Sequence, residues 1–299
     1  MYNAYFGFRE NPFNLSPDPA FLYRSSQHEE ALANLMYGVQ SRKGFIVLTG
    51  EVGTGKTTLL ECLRDYLDAQ GTEFAFVFNS RITPAQFFEM IAYDLDLQCD
   101  RKSKTDVLFA LNRLLIQQAN EGRTTVLIVD EVHNLEWDVL EEVRLLGNLE
   151  NPKIGKLIQV ILSGQPEFDE KLDSPNLRQL KQRIVLRCQL KPFILEDSRD
   201  YIISRLAKAG MPNQTVFGDE LIAEIHKRTQ GIPRLINAVC DNLLLNCFAL
   251  TLRRATVGML DEICQDMRLD WSDSEKKPSL TTMSKAVDST PTLLEVKRA

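Results

Sequence analysis

The segment from Gly50 to Thr57 limits the folds open to this chain more than any other feature. It reads Gly50-Glu51-Val52-Gly53-Thr54-Gly55-Lys56-Thr57 and matches Gly-x-x-x-x-Gly-Lys-Ser/Thr at every specified position. Glycines let backbone N–H groups approach phosphate oxygens, and the helix that follows adds the positive charge of its amino end. We expect Lys56 to reach the β- and γ-phosphates and the Thr57 hydroxyl to hold Mg²⁺. With Thr58 beside it, the segment predicts a nucleotide phosphate site.

The regions around this segment alternate between apolar runs and amphipathic stretches. An apolar run precedes it over 44–49, and the stretch 57–70 places four leucines on one helical face. The same patterns predict strands over 73–78, 125–129, 157–162 and 184–190, and helices over 84–97, 103–120 and 135–149. Short strands that alternate with helices predict an α/β fold whose mostly parallel sheet is covered by helices on both faces.

The character of the sequence changes after Pro192. Only helical patterns follow, over 197–209, 220–229, 234–252 and 256–267. We therefore predict three parts, namely an α/β domain with an aromatic N-terminal arm (1–192), a small helical domain (193–271) and a tail (272–299). The tail is rich in Ser, Thr and Pro and has little to bury, so it is expected to be disordered.

Composition narrows the class of protein. The 299 residues are 44% hydrophobic and 25% charged, which is typical of a globular protein. The net charge of -6 argues against a globally basic nucleic-acid binder, although a local basic patch stays open. No apolar run approaches the roughly 18 residues that span a bilayer, and residues 1–5 do not resemble a signal peptide. The sequence predicts a cytoplasmic protein without a transmembrane segment.

A second motif follows the strand predicted at 125–129. Asp130 and Glu131 come directly after it, where α/β sheets bind their ligands. We expect Asp130 to hold Mg²⁺ and Glu131 to polarise the attacking water, which favours hydrolysis over binding alone. The Asn-Lys-x-Asp pattern that reads guanine is absent from the sequence. ATP with Mg²⁺ is therefore the expected ligand.

These motifs resemble those of an AAA+ ATPase, and the likeness runs from Phe6 to about Met267. It is similar to one branch, the general secretion pathway protein A (ExeA/GspA) type. The segments that carry this resemblance are 5–13, 16–23, 44–58, 163–167, 177–184 and 231–237. The resemblance implies a P-loop domain followed by a small helical lid. Members of the branch usually continue into a membrane segment and a peptidoglycan-binding region. This chain has the polar tail at 272–299 in their place, so peptidoglycan binding is not carried over to it.

The resemblance also implies roles for residues at the ends of two strands. Asn79 matches the residue that restrains the catalytic glutamate until ligands bind. Ser163 and Gln165 lie where sensor one contacts the γ-phosphate, and the sequence leaves open which of them serves. The stretch 17–23 is placed beside the adenine.

Two arginines match conserved positions of the superfamily. Arg183 matches the arginine finger, which reaches the ATP of a neighbouring subunit, with Arg178 and Arg187 as rivals. Such a cation stabilises charge on the γ-phosphoryl in the transition state. Arg234 opens a lid helix and matches sensor two, a phosphate contact. A finger that works in trans implies self-association into an oligomer.

Two functions follow from the resemblance. The first is an oligomeric ATPase that drives assembly or remodelling of a secretion, pilus or exopolysaccharide envelope complex, in the cytoplasm or at the inner face of the membrane through a protein partner. The alternative is a DNA-associated switch similar to transposition helpers or origin-recognition ATPases, with phosphate contacts from 101–104 and 253–254. A scaffold with negligible turnover is disfavoured by Glu131.

Overall fold

The computed structural model describes residues 1–16, 18–78, 81–211 and 216–269. Strands β1 to β7 are Phe45–Gly50, Phe74–Val77, Thr125–Val129, Glu150–Asn151, Gly155–Lys156, Ile158–Gly164 and Ile184–Leu190. Helices α1 to α12 are Tyr2–Phe6, Ser26–Gln40, Lys56–Ala69, Pro84–Asp94, Lys104–Asn120, Trp137–Leu146, Glu167–Leu172, Arg178–Lys181, Leu195–Lys208, Asp219–Thr229, Pro233–Ala249 and Val257–Asp266. The predicted α/β alternation is confirmed, with element ends shifted by a few residues. The short elements α1, β4, β5, α7 and α8 are additional.

Five of these strands form one parallel sheet in the order β2-β3-β6-β1-β7, within the described residues. Ile46 and Leu48 face one side with α2 and α3, whereas Phe45 and Val47 face the other side with α4, α5 and α6. Both faces are buried, which explains why β1 reads as a continuous apolar run. All carboxyl ends of the sheet share one edge, so the loops that follow β1, β3 and β6 lie together.

Helices α9 to α12 form the helical lid, with their own apolar core. Ile202, Ile236, Leu243 and Leu260 are fully buried there, and this arrangement confirms the predicted helical lid. The division at Pro192 stays a prediction, and the tail predicted over 272–299 lies outside the described residues.

The N-terminal arm packs in the core of the lid. The prediction grouped it with 1–192, but Tyr2, Phe6, Phe8 and Phe13 share one buried cluster with α9 to α12. The backbone N–H of Arg9 donates to the Ala209 carbonyl at 2.8 Å. The arm therefore completes the core of the lid by adding four buried aromatic side chains to it.

We expect Phe13→Ala to lower the free energy of unfolding by about 3 kcal/mol, because it removes a buried ring and leaves a cavity. Phe13 is 1% exposed, and its ring centroid lies 6.1 Å from that of Phe217. Chemical denaturation followed by circular dichroism measures the change. Phe109→Ala removes a ring that is 66% exposed and is the matched control, expected within about 0.5 kcal/mol of wild type. Equal losses in the two variants would contradict the arm's place in the core.

Candidate active site

The phosphate loop joins the end of β1 to the start of α3. Gly53 and Gly55 adopt φ angles of 82° and 100°, a region that favours glycine. At Gly50 a Cβ atom would lie 2.6 Å from the Leu190 carbonyl oxygen of the neighbouring strand. The Thr54 hydroxyl donates to the Glu51 carbonyl at 2.8 Å and closes the turn. The glycines of the motif are thus required by backbone geometry as well as by the approach of phosphate.

Lys56 begins α3 and is 6% exposed. Its Nζ donates to the carbonyls of Gly50 at 2.7 Å and Glu51 at 3.1 Å, within the phosphate loop itself. Burial lowers the pKa of Lys56, and the carboxylates of Glu131 and Asp130 oppose that shift. An ammonium group held by carbonyls beside two carboxylates is positioned to take a phosphate oxygen as a further partner.

The two acids follow β3. Asp130 is buried, its N–H donates to the Val77 carbonyl at 2.9 Å, and its Oδ1 accepts from the Glu131 N–H at 2.9 Å. Glu131 has a φ of 53° and lines the cleft that contains the phosphate loop. The left-handed backbone at a non-glycine residue turns the chain sharply here, so the adjacent acids occupy different environments.

The two candidates for sensor one lie in different surroundings. Ser163 is the last but one residue of β6, pairs with Leu48 of β1, and is fully buried. Its hydroxyl has no hydrogen-bond partner within the described part of the chain. Gln165 instead contacts His133, with its backbone N–H 3.3 Å from Nδ1 and its Nε2 2.9 Å from the ring Nε2. Of the two, Ser163 is the buried group that still lacks a polar partner.

His133 is a neighbour of the acids that sequence reasoning missed. Its Nδ1 lies 3.4 Å from Glu131 Oε2, so the ring lies between Glu131 and Gln165. The Lys171 Nζ donates to the backbone carbonyl of His133 at 3.3 Å. No spacing in the sequence indicates these contacts.

Arg234 brings the lid to the phosphate loop. It is the second residue of α11, and its backbone N–H donates to the Gly53 carbonyl at 3.2 Å. A Cβ on Gly53 would lie 2.7 Å from the Arg234 Cβ. The Arg234 side chain is exposed and lines the same cleft as Lys56 and Glu131. The residue predicted as sensor two therefore lies at the phosphate loop.

The arm and the lid supply the rest of the cleft. The lining residues from these parts include Phe21, Tyr23, Phe193, Tyr201, Arg205 and Asn237. Arg205 places its guanidinium 4.8 Å from the Phe21 ring centroid and donates to the Tyr201 hydroxyl at 2.8 Å. That hydroxyl donates to Asn237 Oδ1 at 2.8 Å. This aromatic and polar wall is of a kind that suits a nucleobase, and the adenine position stays a prediction.

Arg183 and Arg187 are not among the described residues that line this cleft. Arg183 precedes β7, and its Nη1 donates to the Arg144 carbonyl at 2.7 Å. Since Ile184 pairs with Phe45 and Leu190 with Gly50, Arg183 lies at the end of the sheet opposite the phosphate loop. Arg187 pairs with Asp169 at 2.8 Å. Asn79 lies outside the described residues.

The described residues fit MgATP. Positive-φ glycines leave room for phosphate. Within the described part of the chain, the buried ammonium of Lys56 has carbonyl partners only, and the buried hydroxyl of Ser163, at the carboxyl end of β6, has no partner. Thr57 and Asp130 supply a hydroxyl and a carboxylate, the oxygen ligands that Mg²⁺ prefers. These two residues would hold the ion between the loop and β3.

Comparisons with known proteins agree with this geometry. A family profile described as an AAA domain matches residues 39–172. General secretion pathway protein A from Aeromonas hydrophila is 43% identical over 250 residues, which are 83% of this chain. The chain spans 45% of the length of that protein. Within the part of the chain that the structure describes, no helix has the length and apolar character needed to cross a membrane.

Solved structures share the fold at low sequence identity. Cdc6p from Pyrobaculum aerophilum has a TM-score of 0.66 and 15% identity, with 87% of this chain and 71% of that chain covered. The ORC2 protein of Aeropyrum pernix has a TM-score of 0.63 and 15% identity, with 87% and 72% covered. The predicted resemblance is confirmed: the chain contains an AAA domain, has the AAA+ fold with a helical lid, and is similar to general secretion pathway protein A.

Proposed function

We propose that this protein binds ATP with Mg²⁺ and hydrolyses it at the cleft between the phosphate loop, β3 and the helical lid. The observation that carries the proposal is the position of Lys56, whose buried ammonium is held at the phosphate loop beside Asp130 and Glu131. A site that only bound nucleotide would have no need for a second acid facing the cleft.

The residues that line the cleft have separate roles in ATP hydrolysis. Lys56 and the loop N–H groups bind the phosphates, and Mg²⁺, when bound by Thr57 and Asp130, neutralises charge that develops on them. Glu131 accepts a hydrogen bond from the attacking water and orients it toward the γ-phosphorus. Ser163 is the better supported sensor one, because its buried hydroxyl lacks a partner among the residues that the structure describes. Arg234 contacts a phosphate of the nucleotide from the lid, where its backbone N–H donates to the Gly53 carbonyl.

We further propose that the protein self-associates and that ATP turnover drives assembly or remodelling of an envelope secretion complex. Similarity to general secretion pathway protein A over 83% of the chain supports the cellular role. The position of Arg183, at the far end of the sheet from its own phosphate loop, supports a finger that serves a neighbouring subunit.

DNA binding has less support. Arg101 is paired with Asp96 at 3.1 Å and Lys104 with Glu142 at 2.6 Å, while Arg253 donates to the Tyr5 carbonyl. These three basic groups already have partners within the protein, so none of them is an unpaired cation positioned for a phosphate.

The ATPase rate as a function of protein concentration tests the proposal. We expect a specific activity that rises with concentration, because a site shared between subunits needs association. Lys56→Ala is expected to reduce the rate to background by removing the phosphate contact. A Lys56→Ala protein as active as wild type would contradict the site. A rate that is flat with concentration but strongly stimulated by DNA would favour the DNA-associated switch.

A further inference from the structure

We propose that His28 is a positioning residue that sets the conformation of the phosphate loop through the Thr54 carbonyl. The inference deepens the proposed nucleotide site and rests on it. His28 lies in the first turn of α2, is 3% exposed, and precedes Thr54 by 26 positions. Its ring lines the same cleft as Lys56.

Both ring nitrogens of His28 have a partner. Nε2 lies 3.0 Å from the Thr54 carbonyl oxygen and Nδ1 lies 2.8 Å from Ser25 Oγ. A carbonyl can only accept, so Nε2 carries the proton and donates to Thr54. Nδ1 of the neutral ring then accepts from the Ser25 hydroxyl. Ser25 is itself 2% exposed, so the ring is held at both ends.

The hydrogen bond to Thr54 determines the direction of the following N–H group. In a trans peptide the C=O and N–H bonds point in opposite directions. A Thr54 carbonyl held toward His28 therefore turns the Gly55 N–H away from His28. Among the described residues, the Gly55 N–H has no backbone acceptor, which leaves it free for a phosphate oxygen. His28 thus sets one donor of the phosphate cradle through the Thr54 carbonyl.

The ring also limits where the loop can move. A Cβ on Gly55 would lie 3.1 Å from His28 Nε2, so the ring packs directly against the loop backbone. On its other side the ring lies 5.6 Å from the Phe193 ring centroid. The Phe193 N–H donates to the Gly231 carbonyl at 2.9 Å, in the lid. His28 is therefore a contact between the loop and the segment that leads into the lid.

The chain offers a matched control for this arrangement. His226 repeats the Ser–His pair, with Nδ1 2.8 Å from Ser198 Oγ. Its ring lies beside Gly231 rather than the phosphate loop. A change at His226 removes a half-buried ring and its hydrogen bond to Ser198 from the lid, and leaves Thr54 untouched.

The test uses the full chain with His28→Phe, His28→Gln and His226→Phe, and calorimetric titration with ADP. Phe keeps a ring but cannot donate, so we expect the Kd for ADP to rise about tenfold. Gln retains an N–H donor and is expected to recover most of the affinity, and His226→Phe to stay within about twofold of wild type. In steady-state ATPase assays the KM should rise while kcat changes little, since Glu131 is unaffected.

An ADP Kd for His28→Phe equal to that of wild type would overturn the positioning role while leaving the proposed ATPase in place. Loss of affinity in His226→Phe as large as in His28→Phe would also overturn it, because a general loss of stability would then explain both. If His28→Phe does not fold, Ser25→Ala decides, with a raised Kd as the supporting result and an unchanged Kd as the contrary one. A wild-type protein that binds ADP no better than Lys56→Ala would overturn both the proposed function and this inference.

Discussion

Glu131→Gln is expected to reduce kcat for ATP hydrolysis by about 10²- to 10⁴-fold and to leave the Kd for ATP nearly unchanged. The amide keeps the size of the side chain and one hydrogen-bond acceptor, but it cannot take a proton from the attacking water. Binding is retained because the phosphates are held by Lys56 and the loop, with the lid contact at Gly53 intact. Single-turnover hydrolysis and calorimetric titration of the same preparation separate the two quantities.

Glu167→Gln is the control for Glu131. Its carboxylate also opposes the lowered pKa of Lys56, yet it belongs to α7 and not to the loop that follows β3. We expect its rate to stay within about threefold of wild type, because it only changes the local field. If Glu131→Gln hydrolyses ATP as fast as Glu167→Gln, then Glu131 does not orient the water.

Local patterns were enough to predict most of the fold. The four leucines of α3 have the period of a helix, whereas the continuous apolar run of β1 has the length of a strand that is buried on both faces. The phosphate loop was predicted for a related reason. The backbone conformation of the loop requires glycines, and the whole motif lies within eight consecutive residues of the sequence.

The contacts of His28 and His133 could not be predicted in this way. Each depends on segments that are distant in sequence, such as Thr54 for His28 and Gln165 for His133. The arm is a similar case, because an aromatic-rich segment indicates packing but not which core it joins. A pattern within one segment carries no information about its partner across the fold.

Arg183→Ala is expected to lower kcat by about 10³-fold while ATP binding is retained, because a finger contributes to the transition state in trans. Strand β7 separates Arg183 from the level of its own phosphate loop by seven residues, or about 20 Å. The side chain cannot span that distance, so a direct contact of Arg183 with a γ-phosphate must be with the nucleotide of another subunit.

A mixing experiment distinguishes this role from a loss of stability. Lys56→Ala has an intact finger and a defective loop, whereas Arg183→Ala has the reverse. If the site is shared, equal amounts of these two inactive proteins should recover a measurable part of the wild-type rate, since some interfaces then pair an intact loop with an intact finger. Mixtures of Lys56→Ala with Arg178→Ala or Arg187→Ala test the rival arginines in the same assay. Activity that stays at background in every mixture, together with oligomers of normal size, would exclude Arg183 as the finger, because no subunit defect would then be complemented across an interface.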